Sequence, residues 1–370
     1  MLRVVICWPE IVGYMVPCFR KLAAYPGIEL LVVARHTVGK NSNFKFNANI
    51  VSGINARFLA PEEQNEQAVA KIVSEFKPDI VSLPGWGTPY YRKLAFNPDL
   101  KQAKLLMVMD TPRRDTWRQK LGRYRYGKYF ARISKVASSG ERASQCAKLV
   151  GFSEAKICRG AAYGIDYEEL SRAYPLRVAA PDGWPKRFLF AGRYHPVKAI
   201  DVLLQAYTLY RSSVENPWPL SMCGSGPLEA LINSTPGVEN LGFVQPTEQS
   251  ALYARHGAFV LASRFDPWPL VIVEACAAGL PVICTEECGS AVELVRTHYN
   301  GLTVPTESVE ALAEALRYLH RHHAELPEMG RRSMVLAAPF GADIWARRWI
   351  EMIDEVCPQR RLEREERAKI

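Results

Sequence analysis

The chain has 370 residues, and 48% of them are hydrophobic. This length suits two domains of roughly 150 to 200 residues each better than a single core. No run of 18 or more apolar residues occurs, which argues against a membrane-spanning helix. The opening residues, Met1 to Pro9, predict a first strand rather than a signal peptide. We therefore expect a cytoplasmic protein.

Nine cysteines are scattered along the chain without any Cys-x-x-Cys. The nearest pair, Cys284 and Cys288, has no His or Cys partners at the spacing of a zinc site. We expect mostly buried thiols, no disulfide scaffold, no metal site and no cofactor.

Charge is divided unevenly along the chain. Residues 1 to 166 contain 26 Lys and Arg against 13 Asp and Glu, a net charge of +13, whereas residues 167 to 370 contain 21 against 25, a net charge of −4. This difference predicts two domains with different partners, the first of which faces something anionic.

The first half contains short apolar or β-branched runs at 2–7, 28–34, 79–83 and 104–109, with helical spacing between several of them. Strands that alternate with helices predict a parallel, doubly wound sheet. Residues 36 to 60, where Asn and Lys dominate, predict a long loop with one irregular hairpin.

A second set of elements follows residues 161 to 185, which contain turn formers without sustained periodicity. We place the junction near 166 to 186, giving domains 1–166 and 167–342. The predicted strands are 187–191, 219–223, 258–262 and 280–284, and the predicted helices are 198–211, 226–232, 247–255, 269–278, 289–296 and 307–322. An apolar stripe from 344 to 356 predicts a last helix.

Two acids mark the segment from 265 to 281. Asp266 precedes a predicted helix, and Glu274 lies inside it. Pro269 fits the first helical turn and Gly279 fits the C-terminal stop. Such a helix presents free backbone N–H groups and a positive dipole end at the carboxyl edge of the sheet, where doubly wound folds bind phosphates. The alternative is that Asp266 merely caps the helix and Glu274 is a surface residue.

The order of an acid, seven residues, a glutamate and then Ala-x-Ala-x-Gly-x-Pro-Val resembles the signature of family 4 glycosyltransferases of the GT-B fold. The resemblance assigns Glu274 to the ribose hydroxyls of a nucleotide and Asp266 to the transferred sugar, with Leu270 and Val271 beside the donor. The family usually has Glu where Asp266 stands and Gly where Pro269 stands. The shorter acid implies a different sugar or a shifted pose.

Gly192, Arg193 and Lys198 follow the predicted strand 187–191 and lie at the start of a helix. They are similar to the family's Gly-Arg-x-x-x-x-Lys-Gly segment, whose Arg and Lys bind the donor diphosphate. Fixed cations and helix N–H groups can stabilise a leaving nucleoside diphosphate without a metal ion. The alternative is a pair of solvated cations at a helix entry.

Two further segments match the family's nucleotide-facing loops in order and spacing. Gly224, Ser225 and Gly226 follow a strand and allow the backbone to approach a ligand closely. Phe243 and Val244, in the second segment, are expected to flank the base. A Gly-x-Gly turn alone occurs in many α/β proteins, so the ordered agreement of the segments carries the resemblance.

The front half contains the candidates for the acceptor side. Glu10 and Gly13 follow the first strand, where many family members have a Gly-Gly loop near the acceptor. Asp110 ends the strand 104–109, at a position where many relatives have a His next to the reacting sugar. We predict that Asp110 accepts a hydrogen bond from a sugar. The alternative is an Asp-Thr-Pro turn that caps the next helix.

Residues 113 to 135 contain nine Lys and Arg against a single acid, Asp115. The aromatic residues among them are Trp117, Tyr124, Tyr126, Tyr129 and Phe130. Three interpretations compete: contact with an anionic membrane that holds a lipid-linked acceptor, binding of an anionic sugar or nucleic acid, and a solvated face whose aromatic residues belong to the core. Nucleic acid ranks last, because no recognised binding module accompanies the charge.

Together these segments predict an α/β protein of the GT-B fold, with two Rossmann-like domains facing a cleft and a C-terminal helix, about 343–370, that crosses back to the first domain. The resemblance implies transfer of a hexosyl unit from a nucleoside-diphosphate sugar to a sugar or lipid-linked acceptor, with retention and without metal. The expected setting is cell-surface polysaccharide or lipopolysaccharide-type synthesis at the inner face of the membrane. A sugar-nucleotide epimerase, a phosphorylase and a binding protein without catalysis are the alternatives.

Overall fold

The computed structural model describes residues 1–10, 13–35 and 51–359. These residues form two compact units. The first unit contains the described residues up to Gly164 together with those from Ala342 onward, and the second runs from Ile165 to Gly341. Residues 36–50 of the predicted long loop and residues 360–370 of the predicted last helix lie outside the described residues.

The first unit is built on a seven-stranded parallel sheet with the order β3-β2-β1-β4-β5-β6-β7. Its strands are β1 (Leu2–Glu10), β2 (Ile28–Arg35), β3 (Ala56–Leu59), β4 (Ile80–Pro84), β5 (Lys104–Met109), β6 (Ile133–Ser138) and β7 (Ile157–Arg159). The chain winds outward from β1 in one direction and then returns to its other side with β4. The switch point of this sheet therefore lies between β1 and β4.

The second unit has a six-stranded parallel sheet with the order β10-β9-β8-β11-β12-β13. Its strands are β8 (Phe188–Ala191), β9 (Leu220–Cys223), β10 (Val238–Gly242), β11 (Ala258–Leu261), β12 (Val282–Thr285) and β13 (Gly301–Val304). The winding is the same, so the switch point lies between β8 and β11.

Helices lie between most of these strands, as parallel sheets require, because both faces of the sheet must be covered. The first unit contains α1 (Val16–Ala23), α2 (Glu66–Glu75), α3 (Pro89–Lys93), α4 (Trp117–Arg125), α5 (Gly127–Arg132), α6 (Glu141–Leu149) and α16 (Ala342–Val356). The second contains α7 (Tyr167–Ser171), α8 (Ala173–Val178), α9 (Ile200–Arg211), α10 (Glu229–Asn233), α11 (Gln249–Ala254), α12 (Leu270–Ala277), α13 (Ala291–Leu294), α14 (Val309–Arg321) and α15 (Leu326–Ala337).

The last helix, α16, belongs to the first unit and packs on α1. Trp345 and Trp349 are fully buried on its inner face. Trp345 meets Phe19 of α1 edge to face, with ring centroids 6.0 Å apart. The indole N–H of Trp349 donates to the carbonyl of Ala161 at 2.8 Å. These contacts place α16 in the core of the first unit, and the predicted α/β fold class is confirmed.

All nine cysteines lie within the described residues as thiols rather than disulfides, and seven of them are buried, as expected. Within the described ranges, no helix combines the length and apolar character that crossing a membrane demands.

Candidate functional site

The carboxyl ends of β8 and β11 frame the switch point of the second sheet, the place where doubly wound folds bind ligands. The loop after β8 starts at Gly192, with φ +152°, and reaches α9 through a turn from Pro196 to Lys198. Ala199 then adopts the left-handed conformation, with φ +49°. Arg193 is exposed on this loop, whereas Lys198 is half-buried.

An ion pair between Lys198 and Asp266 joins the loop after β8 to the loop after β11. The two side chains are only 13% and 14% exposed. The other carboxylate oxygen of Asp266 accepts the backbone N–H of Trp268 at 3.3 Å. Sequence reasoning chose both residues but did not predict their contact. Lys198 therefore supplies a positive charge at the switch point. The carboxylate of Asp266 lies next to that charge, and both groups have little contact with solvent.

Two expectations about this loop need correction. Pro269 occupies the cap position just before α12, which begins at Leu270, so it is not in the first helical turn. Asp266 is not the helix cap, since its side chain contacts Trp268 and Lys198, and no side chain caps α12. Gly279 ends the helix with φ +72°, as expected. The alternative of a simple capping acid is therefore wrong.

Glu274 is buried within α12, with 5% of its surface exposed, so the alternative of a surface residue is also wrong. The hydroxyl of Tyr253 donates to its Oε2 at 3.2 Å. Burial raises the pKa of Glu274 from its ordinary value near 4.5 to about 7, although the Tyr253 hydrogen bond opposes that rise. When it is charged, such a carboxylate accepts hydrogen bonds from hydroxyl groups. When it is neutral, its own O–H donates a hydrogen bond.

Gly224 and Gly226 follow β9 and pack directly on the loop after β8. A Cβ on Gly224 would lie 1.9 Å from the carbonyl oxygen of Gly192, and one on Gly226 would lie 2.6 Å from that of Tyr194. Their φ angles, +151° and +150°, also favour glycine. Between them, the carbonyl of Ser225 accepts the N–H of Tyr194 at 2.8 Å. The two loops therefore form one closely packed backbone surface.

The remaining donor-side candidates lie on neighbouring elements. Phe243 and Val244 follow β10, and Leu270 and Val271 form the first turn of α12. All four are half-buried. The structure thus places every candidate from the second half at the carboxyl edge of the sheet or in the first turns beyond it.

Arg264 is a positioning residue that sequence reasoning missed. Its guanidinium donates to both oxygens of Asp201, in α9, at 2.9 and 2.7 Å, and it also pairs with Glu307. Its backbone N–H donates to the carbonyl of Val197 at 2.8 Å. Arg264 therefore anchors the loop that holds Asp266 to the loop that holds Lys198. Only its place two residues before Asp266 signalled this role.

The loops of this site lie in a part of the chain that is similar to known proteins. Residues 185–322 match the family model described as glycosyl transferases group 1. The matched residues lie within the second unit. The four loops described above all lie within the matched residues.

Among curated relatives, an exopolysaccharide phosphotransferase of Streptomyces coelicolor is 30% identical over 213 residues, which are 52% of this chain and 22% of the relative. A D-rhamnosyltransferase of Pseudomonas aeruginosa is 28% identical over 185 residues, 46% of this chain and 46% of the relative. The chain therefore spans about half or less of the length of these relatives.

Over nearly the whole chain, the fold matches that of Anabaena HepE, solved in complex with UDP and also with UDP-glucose. The TM-score is 0.73 at 16% identity, covering 96% of this chain and 100% of HepE. The chain thus has the GT-B fold.

The first unit has a pocket of about 260 Å³ at its own switch point. It is lined by Trp8, Pro9, Pro84, Gly85, Trp86, Gly87, Val108, Met109, Asp110, Thr111 and Tyr163. The hydroxyl of Tyr163 donates a hydrogen bond to Oδ2 of Asp110, and the two oxygens are 2.7 Å apart. The predicted sugar contact therefore lies in a pocket, beside a phenol that sequence reasoning did not choose.

The other two acceptor-side candidates do not line this pocket. Glu10 is the half-buried last residue of β1, and Gly13 is buried in the turn from Gly13 to Met15. The structure brings Asp110 together with the ends of β1 and β4 but leaves Glu10 and Gly13 beside them.

The basic segment of the first unit divides into a buried and an exposed part. Tyr129 and Phe130 of α5 belong to the core, as the solvated-face interpretation expects. Trp117, Leu121 and Tyr124 of α4 are instead 66%, 52% and 80% exposed. Their spacing of four and three residues places them on one face of the helix.

Among the residues that the structure describes, no group of three or more His, Cys, Asp or Glu side chains is arranged to hold a metal ion.

Proposed function

We propose that the chain transfers a hexosyl unit from a nucleoside-diphosphate sugar to a sugar or lipid-linked acceptor, with retention of the anomeric configuration and without a metal ion. The observation that carries this proposal is the Lys198–Asp266 ion pair at the switch point of the second unit. It supplies a cation for a diphosphate and a carboxylate for a sugar hydroxyl within one contact distance of each other.

On binding, the donor would take the place of each residue of this pair as the partner of the other. A diphosphate that approaches Lys198 replaces Asp266 as its anion, and Asp266 is then available to accept a hydroxyl of the sugar. Arg193, exposed on the same loop, supplies a second cation. As the glycosidic bond breaks, negative charge grows on the leaving diphosphate, and fixed cations stabilise that charge.

Glu274 would bind the ribose. Its side chain lies in α12, four residues beyond the helix start, and its burial fixes the carboxyl group. Gly224 and Gly226 allow the backbone to approach the nucleotide without a side chain in between. UDP-glucose, bound by Anabaena HepE, is the first donor to test, and UDP, also bound by HepE, is the nucleoside diphosphate that its transfer would release.

Retention follows in this proposal from a same-face route. The diphosphate leaves one face of the transferred sugar and assists the attack of the acceptor hydroxyl on that same face. No covalent intermediate with the protein is therefore formed. Cell-surface glycan synthesis at the inner face of the membrane is the proposed setting, supported by the names of the exopolysaccharide and rhamnosyl relatives.

Release of nucleoside diphosphate, measured with UDP-, GDP-, TDP- and ADP-sugars with and without a panel of glycan acceptors, tests this function. The proposal expects release that rises with one acceptor, a product of retained configuration by NMR, and full rates in EDTA. Conversion of the sugar without an acceptor would instead identify an epimerase. Dependence on free phosphate would identify a phosphorylase, and saturable binding without turnover would identify a binding protein.

We further propose that α4 contacts an anionic membrane. Arg118 and Arg125 lie on one side of the exposed Trp117–Tyr124 face and Lys120 lies on the other, and all three are exposed. Aromatic side chains favour the membrane interface, and each nearby cation contributes about 1 kcal/mol on an anionic surface.

Flotation with vesicles tests the membrane contact. Binding to vesicles rich in phosphatidylglycerol, but not to pure phosphatidylcholine, is expected, and the double variant Trp117→Ser, Tyr124→Ser should lose about ten-fold in partitioning. Leu176→Ser, which changes a 61% exposed side chain of the second unit, is the matched control. Equal binding by the double variant and wild type would refute the contact.

A further inference from the structure

Arg177 of α8 is fully buried, although arginine side chains are almost never buried without a partner. Its guanidinium lies over the ring of Trp184, 4.8 Å from the ring centroid. The indole N–H of Trp184 donates in turn to the carbonyl of Gly257 at 2.9 Å. Burial lowers the pKa of Arg177 to about 9, so the side chain stays charged at neutral pH. The core of the second unit therefore contains a positive charge in a fixed orientation.

The hydrogen bonds that Arg177 makes in the described part of the chain all go to backbone carbonyls. Nη1 donates to the carbonyls of Ala278 and Gly279, at 3.1 and 2.9 Å. Nη2 donates to those of Tyr253 and Ala278, at 2.7 and 3.1 Å. Tyr253 lies in the last turn of α11, and Ala278 and Gly279 directly follow α12. Carbonyls at the C-terminal end of a helix lack partners within the helix and carry partial negative charge. Arg177 thus joins the ends of two helices.

These two helices contain the candidate ribose-binding carboxyl group and its hydrogen-bond partner. Tyr253 accepts from Arg177 through its carbonyl, and its hydroxyl donates to Oε2 of Glu274 at 3.2 Å. The carbonyl of Glu274 accepts the N–H of Ala278, one turn along α12, at 2.8 Å. Two short paths of hydrogen bonds therefore lead from Arg177 to Glu274, one through each helix.

The end of α12 is closely packed on the sides that Arg177 does not contact. A Cβ on Gly279 would lie 2.5 Å from the ring of Tyr174, and one on Gly330 of α15 would lie 2.2 Å from the carbonyl oxygen of Gly279. The hydroxyl of Tyr174 donates to the carbonyl of Pro327, also in α15, at 3.0 Å. A side chain at position 177 with fewer donors would leave carbonyls unpaired in this enclosed place, which is unfavourable.

We infer that Arg177 is a positioning residue for nucleotide binding, because it holds the ends of α11 and α12 so that Tyr253 and Glu274 face each other. The inference rests on the proposed function, in which Glu274 binds the ribose. Arg177 acts through Glu274 and does not contact the donor. The ribose contact is made in the ground state and in the transition state alike, so a weaker hold on Glu274 raises KM more than it lowers kcat.

Calorimetric titration of UDP, GDP, TDP and ADP into the full chain, as wild type and as Arg177→Lys, tests this role. Lysine keeps the charge but lacks the planar fork that reaches both helix ends. The nucleoside diphosphate that wild type binds should bind Arg177→Lys about ten-fold more weakly. KM for the matching nucleotide sugar should rise in the same proportion, while kcat stays within about two-fold. Equal affinity of the two proteins would overturn the inference.

Two control variants separate positioning from general stability. Arg255→Lys makes the same substitution at an exposed arginine that directly follows α11, and it should bind as wild type does. Leu319→Ala opens a cavity at a fully buried position of α14, which packs on α9. It should lower the melting temperature without weakening binding. A loss of affinity in Leu319→Ala as large as that in Arg177→Lys would attribute the effect to stability and overturn the inference.

Tyr253→Phe tests the path from Arg177 to Glu274. It removes only the hydroxyl that reaches Glu274, so it decides the question even if Arg177→Lys does not fold. Binding of the nucleoside diphosphate should weaken about three-fold. In the double variant, the loss should be smaller than the product of the two single losses, because both changes act on the same carboxyl group. Unchanged binding by Tyr253→Phe, or losses that multiply, would overturn the inference.

Nucleotide binding by wild type separates this inference from the proposed function. If wild type binds a nucleoside diphosphate and Arg177→Lys binds it equally well, the proposed function stands and Arg177 has no positioning role. If wild type binds none of the four, the proposed function fails, and the role of Arg177 in nucleotide binding fails with it.

Discussion

The two switch points of this molecule lie in sheets of the same winding and differ in chemistry. At the second, between β8 and β11, two loops meet through the Lys198–Asp266 ion pair and through backbone contacts that only glycine permits. At the first, between β1 and β4, the described residues that line the pocket include aromatic rings and the carboxylate of Asp110.

This difference indicates that the loops, and not the shared fold, determine which ligand each switch point can bind. Fixed charge and closely packed backbone suit a diphosphate, whereas aromatic rings suit the C–H groups of a sugar ring. The glycines show the same division: Gly224 is packed against Gly192, and Gly87 faces open space.

The largest expected effect is on stability at the second switch point. Gly224→Ala should lower the free energy of unfolding by about 4 kcal/mol, because the methyl group would overlap the carbonyl of Gly192 and φ is +151°. Chemical denaturation measures this change. Gly87→Ala, at the first switch point, should stay within about 1 kcal/mol of wild type. Equal effects of the two substitutions would remove the contrast.

A somewhat smaller effect is expected on turnover. Lys198→Ala should reduce kcat/KM for the donor at least about a hundred-fold, roughly 3 kcal/mol, because the leaving diphosphate loses a fixed cation. Arg193→Ala and Glu274→Ala should also reduce transfer by orders of magnitude. Lys186→Ala, at an exposed lysine of the same unit, is the control. Near-normal rates in all three site variants would contradict the donor site.

The smallest of these effects depends on pH. The pKa of Glu274 is raised to about 7 in the folded chain, so the folded state binds more protons than the unfolded state between pH 4.5 and 7. Stability therefore falls as pH rises through this window, by about 2 kcal/mol between pH 5 and 7 from this group. Glu274→Gln should remove that slope. Denaturation at several pH values measures this slope of the free energy of unfolding. If the variant keeps the slope, another group causes it.

Much of the fold could be predicted because central parallel strands are apolar on both faces. β1, β2, β4, β5, β8, β9, β11 and β12 all lie within or near predicted strands. The strands that periodicity missed include all four edge strands, β3, β7, β10 and β13, which are short. Val238–Gly242, for example, includes Glu239 and Asn240, and no residue of β10 is fully buried. An edge strand has one neighbour and carries a weaker apolar signal.

The candidate site was predictable where a motif fixes its residues in sequence, as with Lys198, Asp266 and Glu274. Contacts between distant segments were not. Tyr163 meets Asp110 from 53 residues away, and Arg264 reaches Asp201 from 63. Neither partner lies in a motif, so only the folded chain shows that they act together. The exposure of Trp117 and Tyr124 likewise depends on which helix face the core covers.

Calorimetric titration of nucleoside diphosphates tests the central claim most directly. UDP, GDP, TDP and ADP would be titrated into wild type, Lys198→Ala and Gly87→Leu. The account predicts that wild type binds at least one of them, that Lys198→Ala binds it at least ten-fold more weakly, and that Gly87→Leu binds it as wild type does. Binding that survives in Lys198→Ala but is lost in Gly87→Leu, or no binding to wild type, would contradict the account.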